Sequence, residues 1–392
     1  MTITTHQSNS LIVRYVLSFT LLVGTQIATN DAYGHGGGLN SYGCHNQSST
    51  STYHCHSGDY DGMSFASQAA FLDYVQSQAS GSNDTSDYDR DDYLPSWADT
   101  DGDCINTRHE VLMLESLVPT TLSETGCYVD SGEWYDPITD QTFTNPSDVD
   151  IDHHVALAEA HRSGAASWSN EKKQSFANDT LNAIVLQAMD DSTNSSKSDK
   201  DPADWLPPNA AYHCQYVKNW VEVKKRYELS YDSEEQQAIE SILGKPIEYG
   251  ARSSISGVRA SSGVSEGRFS LGITNGQDCG YSATGALLES VKIDFEIVPA
   301  ANDLNQEVDI LVVAVVGEDI YSISESYELV PYDGNPMSLV SFRSKTSFTQ
   351  SREFEFLQSS FSSPIDVSLY VAYRNENGDL VYSSQPFKVL VQ

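Results

Sequence analysis

Past about residue 250 the periodicity of the chain changes, and that change limits the fold more than any other feature. In Val291-Lys292-Ile293-Asp294-Phe295-Glu296-Ile297, apolar and charged residues alternate strictly. A period of two predicts a strand with one face on a core and the other in water. Val308 to Val316 reads as a more buried strand. Val367–Tyr373 and Leu380–Tyr382 flank Asn377-Gly378-Asp379, a hairpin signal. Several such strands at short spacing predict an antiparallel β-sandwich over residues 249–392. Before residue 249 the pattern is mixed. Short strand-like runs occupy the middle of residues 88–248 and helices its end. Tyr216, Trp220, Val223 and Tyr227 recur at helical spacing as a buried stripe. Ser233 and Gln236 form a candidate capping box for a helix through Leu243. The fold class is therefore α+β.

Charge excludes some functions. Against 22 basic residues stand 55 acidic ones, a net charge of −33. A chain this acidic is not a basic, whole-surface nucleic-acid binder, so any phosphate-seeking site must be local or carry a metal ion. Between Asp150 and Ser230 there are 9 Lys/Arg and 12 Asp/Glu, a balance of only −3. Nucleic acid would approach most easily there.

Arg14 followed by the apolar run Tyr15 to Gly24, with small residues at Ala32-Tyr33-Gly34, reads as a signal peptide over residues 1–34. The run is too short to span a bilayer. The expectation is a protein free of the membrane after signal removal, secreted or periplasmic. The six cysteines (Cys44, Cys55, Cys104, Cys127, Cys214, Cys279) suit an oxidising compartment. Local spacing favours Cys44 with Cys55 and Cys104 with Cys127, leaving Cys214 with Cys279. Residues 35–60 form a small Gly/His/Cys-rich module. Residues 61–87 read as a helix, near Ser64 to Gln78, and an acidic linker; the Ser/Asn/Asp-rich run reaches Asp92.

The informative segment runs from Ser147 to Asn209. It opens with SDVDIDHHVALAEAH and closes with NSSKSDKDPADWLPPN. Val149, Ile151, His153 and Val155 alternate, which places Asp152-His153 on a strand. Hydrolysing a phosphodiester needs a base for water, a cation for the charge on phosphate and leaving oxygen, and groups that hold the flanking backbone. A hard Mg²⁺ ion takes oxygen ligands, typically one or two from protein. Asp152 and Asn194 are candidate donors of those oxygens. A histidine near its ordinary pKa is partly neutral and accepts water's proton. Successive residues of a regular strand point to opposite faces, so His153 needs a local twist or bulge to share a site with Asp152.

The residues around this segment resemble the HNH (ββα-metal) nucleases. More closely, they resemble secreted proteins sharing a domain with the C-terminal part of GmrSD-type restriction enzymes. The resemblance is carried by Asp101-Gly-Asp-Cys104 with Thr107-Arg108 and Glu110-Val111-Leu112, then Gly132-Glu133-Trp134-Tyr135 and Asp150-Ile-Asp-His153. It continues through Asn194 with Lys197 and Asp199 to Trp205-Leu-Pro-Pro-Asn209, Tyr212 and Cys214. It implies a ββα-metal nuclease core with surrounding helices over residues 88–248, clasping one divalent ion, Mg²⁺ or another such as Mn²⁺. It also implies His153 as general base, Asp152 and Asn194 as metal ligands, and Asn182 as the residue orienting the base. Ala156 stands where the family usually has proline, and His154 where it has an apolar residue. Neither departure removes a metal oxygen. The N-terminal module resembles small YHYH-type modules beside secreted nucleases.

Lys197, Lys200, Lys218, Lys224, Lys225 and Arg226 are candidate phosphate contacts; a solvated helix face is the alternative. Arg108 either pairs with a carboxylate as a core ion pair or faces substrate. Asp99, Asp101, Asp103 and Glu110 stand at positions 1, 3, 5 and 12 of a calcium-loop pattern with Cys104 where glycine is usual. Otherwise the aspartates cap the next helix. In the N-terminal module, Cys44, His45, Cys55 and His56 offer zinc ligands, against which an oxidising compartment favours the disulfide. The function expected is a secreted endonuclease with little sequence preference acting on DNA, RNA being open. The alternative is a secreted binding or adhesion protein on an inactive nuclease-like core.

Overall fold

The computed structural model describes residues 44–47, 52–55, 63–65, 67 and 88–392. The run read as a signal peptide, most of the module and linker, and residues 71–78 of the stretch read as a helix lie outside them. The described residues up to Tyr88 belong to one compact unit and Asp89–Gln392 to another.

In the first unit, β1 (Cys44–Gln47), β2 (Thr52–Cys55) and β3 (Ser64–Phe65) form an antiparallel sheet. The register sets Cys44 opposite Cys55, and Cys55 is disulfide-bonded. Ser64–Phe65 is thus a strand where the sequence suggested the start of a helix; pairing with β2 satisfies its backbone.

The second unit begins with α1 (Arg90–Tyr93), which falls in the run read as linker, and α2 (Thr107–Glu115). Two small hairpins follow, β4 (Thr121–Leu122) with β5 (Val129–Ser131), and β6 (Trp134–Asp136) with β7 (Gln141–Phe143). Next come β8 (Val149–His153), α3 (Leu157–Arg162), α4 (Asn170–Ala177), β9 (Leu186–Asp190), α5 (Asp191–Lys197), α6 (His213–Tyr227) and α7 (Ser233–Leu243). Tyr216, Trp220 and Val223 of α6 are fully buried with Trp134, Phe176 and Tyr93, as the helical stripe predicts. The capping box of α7 is built one residue earlier than expected. Asp232 accepts from the Glu235 amide, and the Glu235 side chain answers to the Asp232 amide. Asp232, like Ser233, is a strong N-cap residue, and its carboxylate takes two amides at once.

Eleven strands follow: β10 (Ser253–Arg259), β11 (Ser265–Asn275), β12 (Ser290–Val298), β13 (Glu307–Val316), β14 (Asp319–Ile323), β15 (Leu329–Pro331), β16 (Arg343–Ser347), β17 (Arg352–Ser360), β18 (Ile365–Asn375), β19 (Leu380–Ser383) and β20 (Phe387–Val391). They form one continuous antiparallel sheet in the order β15-β14-β13-β18-β19-β10-β11-β12-β17, with β16 on β13 and β20 on β18. The sequence suggested a sandwich of two sheets. The difference lies in β18. One edge pairs with β13; the other pairs first with β20 and then, past Leu369, with β19. That strand keeps the ladder unbroken while the sheet curls around Phe269, Phe295, Phe342, Phe348 and Tyr373. The β18–β19 hairpin turns at Gly378, whose φ of +80° favours glycine.

The charged face of β12 is not wet. Asp294 and Glu296 are 7% and 2% exposed because the helical part covers them. Arg252 meets Asp294 at 2.5 Å and Arg226 meets Glu296 at 3.0 Å. The Cys214–Cys279 disulfide joins the start of α6 to the loop after β11. Ser351 binds the loop before β9, its amide donating to Leu181 O at 2.6 Å and its hydroxyl accepting from the Ala183 amide at 3.2 Å.

Candidate active site

The segment SDVDIDHH builds a strand, and its partner lies far along the chain. β8 pairs antiparallel with β9 over five positions, from Val149↔Asp190 to His153↔Leu186, with no register shift. Asp190 ends β9 and also caps α5, its carboxylate accepting from the Thr193 amide at 2.8 Å. Strand therefore passes into helix without a loop, and α5 packs against both strands of the hairpin. The order is strand, strand, helix, with α3 and α4 inserted between the strands.

Alternation along β8 sends Asp150 and Asp152 to the face that α5 covers. Three residues along a helix advance about 4.5 Å and two along a strand about 6.6 Å, so two rungs can form. On the first, Asn194 Nδ2 donates to Asp150 Oδ2 at 3.1 Å. On the second, Lys197 Nζ donates to Asp152 Oδ1 at 2.9 Å and to His153 O at 2.9 Å. Lys197 is fully buried. Burial raises the Asp152 pKa, and the Lys197 charge beside it works in the opposite direction. Arg108 reaches the first rung from α2. Its Nη2 donates to Pro146 O and Val149 O at 2.9 and 2.8 Å, and its Nη1 lies 3.9 Å from Asp150 Oδ1. Arg108 thus pairs with a carboxylate, but a half-exposed one and not as a core ion pair.

His153 projects to the other face, since β8 carries no bulge to bring it beside Asp152. Its ring lies parallel to Trp97, with centroids 5.6 Å apart and planes 3° apart, and near Phe176. Nε2 is 2.9 Å from Ala177 O at the end of α4. A carbonyl only accepts, so this contact places the ring proton on Nε2 and leaves the lone pair on Nδ1. Nδ1 has no hydrogen-bond partner among the described residues. Burial lowers the His153 pKa to about 4, aided by the charges of Arg90 and Lys197, so the imidazole is neutral at pH 7. The same helix end holds Trp97 in place: Asn178 Oδ1 accepts from the Ala98 amide at 3.0 Å.

The other candidate residues are not gathered here. Asn182 is not a partner of His153. Its amide binds Asp179 and Arg226, and the hold on the imidazole comes from Ala177 O instead. Lys197 is an internal counter-ion and offers no surface to a phosphate. Lys224 is also fully buried, paired with Glu159 at 2.7 Å and Glu235 at 2.6 Å. Arg226 is buried against Glu296 and Glu222. Lys225 donates to Arg252 O at 2.8 Å, and Lys218 lies 3.8 Å over the Tyr281 ring. Lys200 and Lys225 are the exposed ones, the Lys200 Nζ resting on Ser196 O. Most of the run on α6 is therefore engaged inside the fold, with Lys225 held against the Arg252 carbonyl. His154 is a satisfied core histidine on Tyr216 O, its pKa lowered to about 3 by burial. His161 is buried with Nδ1 3.0 Å from Tyr93 OH.

Ahead of α2, one oxygen each of Asp99, Asp101 and Asp103 lie within 4.8 Å of one another, so this triad could hold a cation. Asp99 already accepts from the Gly102 and Cys104 amides at 2.8 and 3.0 Å. Cys104, bonded to Cys127, adopts the φ of +74° that favours glycine. Burial first, then the three aspartates, raise the Glu110 pKa to about 7.

Sequence reasoning missed Trp97, the Ala177 carbonyl and the Asp150–Asn194 contact. The first two carry no local signal. The third was visible as the spacing Asp150/Asp152 set against Asn194/Lys197.

Residues 115–241 match the family described as GmrSD restriction endonucleases, C-terminal domain. A protein of Arthroderma benhamiae described as an uncharacterized secreted protein is 43% identical over 157 residues, 40% of this chain and 74% of that protein. Among the described residues no helix is long and apolar enough to cross a membrane.

Proposed function

We propose that this chain, which belongs to the GmrSD restriction endonuclease C-terminal domain family and so to nuclease-type enzymes in general, is an exported HNH-type endonuclease. It hydrolyses phosphodiester bonds of DNA, and of RNA as a second substrate, with little sequence preference. The observation that carries the reading is the strand–strand–helix run in which Asp152-His153 and Asn194 sit on elements packed together. The residues fit a hard divalent cation. Asp152 supplies a carboxylate, and Asn194 Oδ1 has no partner among the described residues. A bound Mg²⁺ would supply positive charge to the phosphate and the leaving oxygen. His153 takes a proton from water at Nδ1, while Ala177 O keeps the ring in the required tautomer. Trp97 limits how that ring can turn. With Lys224 and Arg226 engaged inside the fold, backbone contact falls chiefly to Lys200, and no base-reading helix is offered. Export is supported by the signal-like N-terminus and the relative described as secreted.

One observation favours a second reading, a secreted binding protein on an inactive core: Asp152 and His153 leave opposite faces of an unbulged strand. Plasmid incubated with mature protein and Mg²⁺, then with EDTA, separates the two. The nuclease cuts and is stopped by EDTA; intact plasmid with folded protein sinks it. His153→Ala should slow cutting at least about a hundredfold. His153→Gln, which keeps a donor for Ala177 O, should fold and be equally slow. Full activity in either variant removes His153 as base.

A further inference from the structure

We infer that Asp150 is a positioning residue: it sets the orientation of the Asn194 amide and so selects the oxygen of Asn194 for the divalent ion. The inference rests on the nuclease reading above. An asparagine side chain offers an acceptor at one end and a donor at the other, and the two differ little in shape. Left free, the amide would populate both orientations before an ion arrives, and part of the binding energy would go into turning the oxygen inward. Asp150 removes that freedom. Beside the Arg108 guanidinium its carboxylate offers acceptors, so only Nδ2 of Asn194 can face Oδ2, as it does at 3.1 Å. The opposite end, Oδ1, is then the end left without a partner. Arg108 fixes the carboxylate in turn. Its two backbone contacts anchor it to the start of β8, which carries Asp150 itself. α2, β8 and α5 therefore contribute one residue each to a relay ending at the Asn194 oxygen.

Outer partners of this kind typically matter ten- to a hundredfold in metal affinity. The test is a double-variant cycle on full-length protein, read by Mn²⁺ binding in electron paramagnetic resonance and by melting temperature without metal. Asp150→Ala should weaken Mn²⁺ binding about tenfold or more, with the metal-free melting temperature nearly unchanged. Asn194→Asp puts an oxygen at both ends of the group, so nothing remains to orient. In that background Asp150→Ala should not weaken Mn²⁺ binding. Equal losses in both backgrounds would show Asp150 acting as a ligand or as mere charge and would overturn the inference. No change in either background overturns it as well. If the unaltered protein binds no Mn²⁺, the metal-dependent reading fails and this inference fails with it.

Discussion

Two strands of this molecule carry acids two residues apart under a helical cover, and they come to opposite ends. On β12, Asp294 and Glu296 face Arg252 and Arg226; all four side chains are 10% exposed or less. On β8, Asp150 and Asp152 face an amide and an ammonium, and the Asp150 side chain is 45% exposed. The first set is sealed: each carboxylate has a guanidinium at contact distance. The second is open at one end, where the nearest cation, on Arg108, stands at 3.9 Å and an amide oxygen is unspoken for. Identical spacing thus yields a buried clamp between sheet and helix in one place and a candidate ion site in the other. The cover decides, not the strand.

The largest effect should come from breaking the sealed pair. Glu296→Ala leaves the Arg226 guanidinium buried, with Glu222 at 3.5 Å as its remaining carboxylate. Stranding a buried charge costs about 3 kcal/mol or more. Asp150→Asn at the open pair should cost under about 1 kcal/mol. Denaturant titrations of both variants measure the contrast. Similar costs at the two sites would erase the distinction between a clamp and a site.

A second difference is electrostatic. Because Lys224 and Arg226 are spent inside the fold, few cations remain to hold a polyanion against a net charge of −33. Long-range repulsion should then dominate the approach of DNA. The screening length falls from roughly 30 Å at 0.01 M salt to about 8 Å at 0.15 M. Initial cleavage rates at low substrate and fixed Mg²⁺ should rise several-fold over that interval. A fall would mean that a basic surface makes the contacts after all.

How far the sequence carries the reader depends on the range of the interaction involved. The Tyr216 stripe, the β18–β19 hairpin and the Cys104–Cys127 bridge rest on near neighbours, and the pattern finds them. Glu296 and Arg226 are 70 residues apart and Asp294 and Arg252 are 42 apart. Alternation says that these acids share a face but not what covers it, so that face reads as wet and Arg226 reads as a phosphate contact. The unbroken sheet is hidden for the same reason, because β18 changes partner along one edge without any change in its own composition. At the site, the motif marks Asp152, His153 and Asn194. Trp97 and the Ala177 carbonyl are invisible, because a backbone oxygen has no signature and a stacking ring has no spacing.

A last test uses a third acid, packed against the open hairpin. Glu115, from α2, accepts from the Ala188 amide of β9 at 2.7 Å, and burial raises its pKa to about 8. The unfolded chain would hold that proton only to about pH 4.5. Between these values the folded state binds more proton than the unfolded one, so stability falls as pH rises from about 4.5 to about 8. Glu115→Gln keeps the acceptor for Ala188 and removes the titration. Below pH 4.5 the variant should match the parent. At pH 8 and above it should be more stable by on the order of 1 kcal/mol, a modest figure because part of the side chain remains in water. Urea titrations at pH 4, 6 and 8 read the difference. If the two proteins stay parallel across that range, the hairpin beside β8 imposes no desolvation on its acids, and the contrast between open and sealed pairs loses its electrostatic basis.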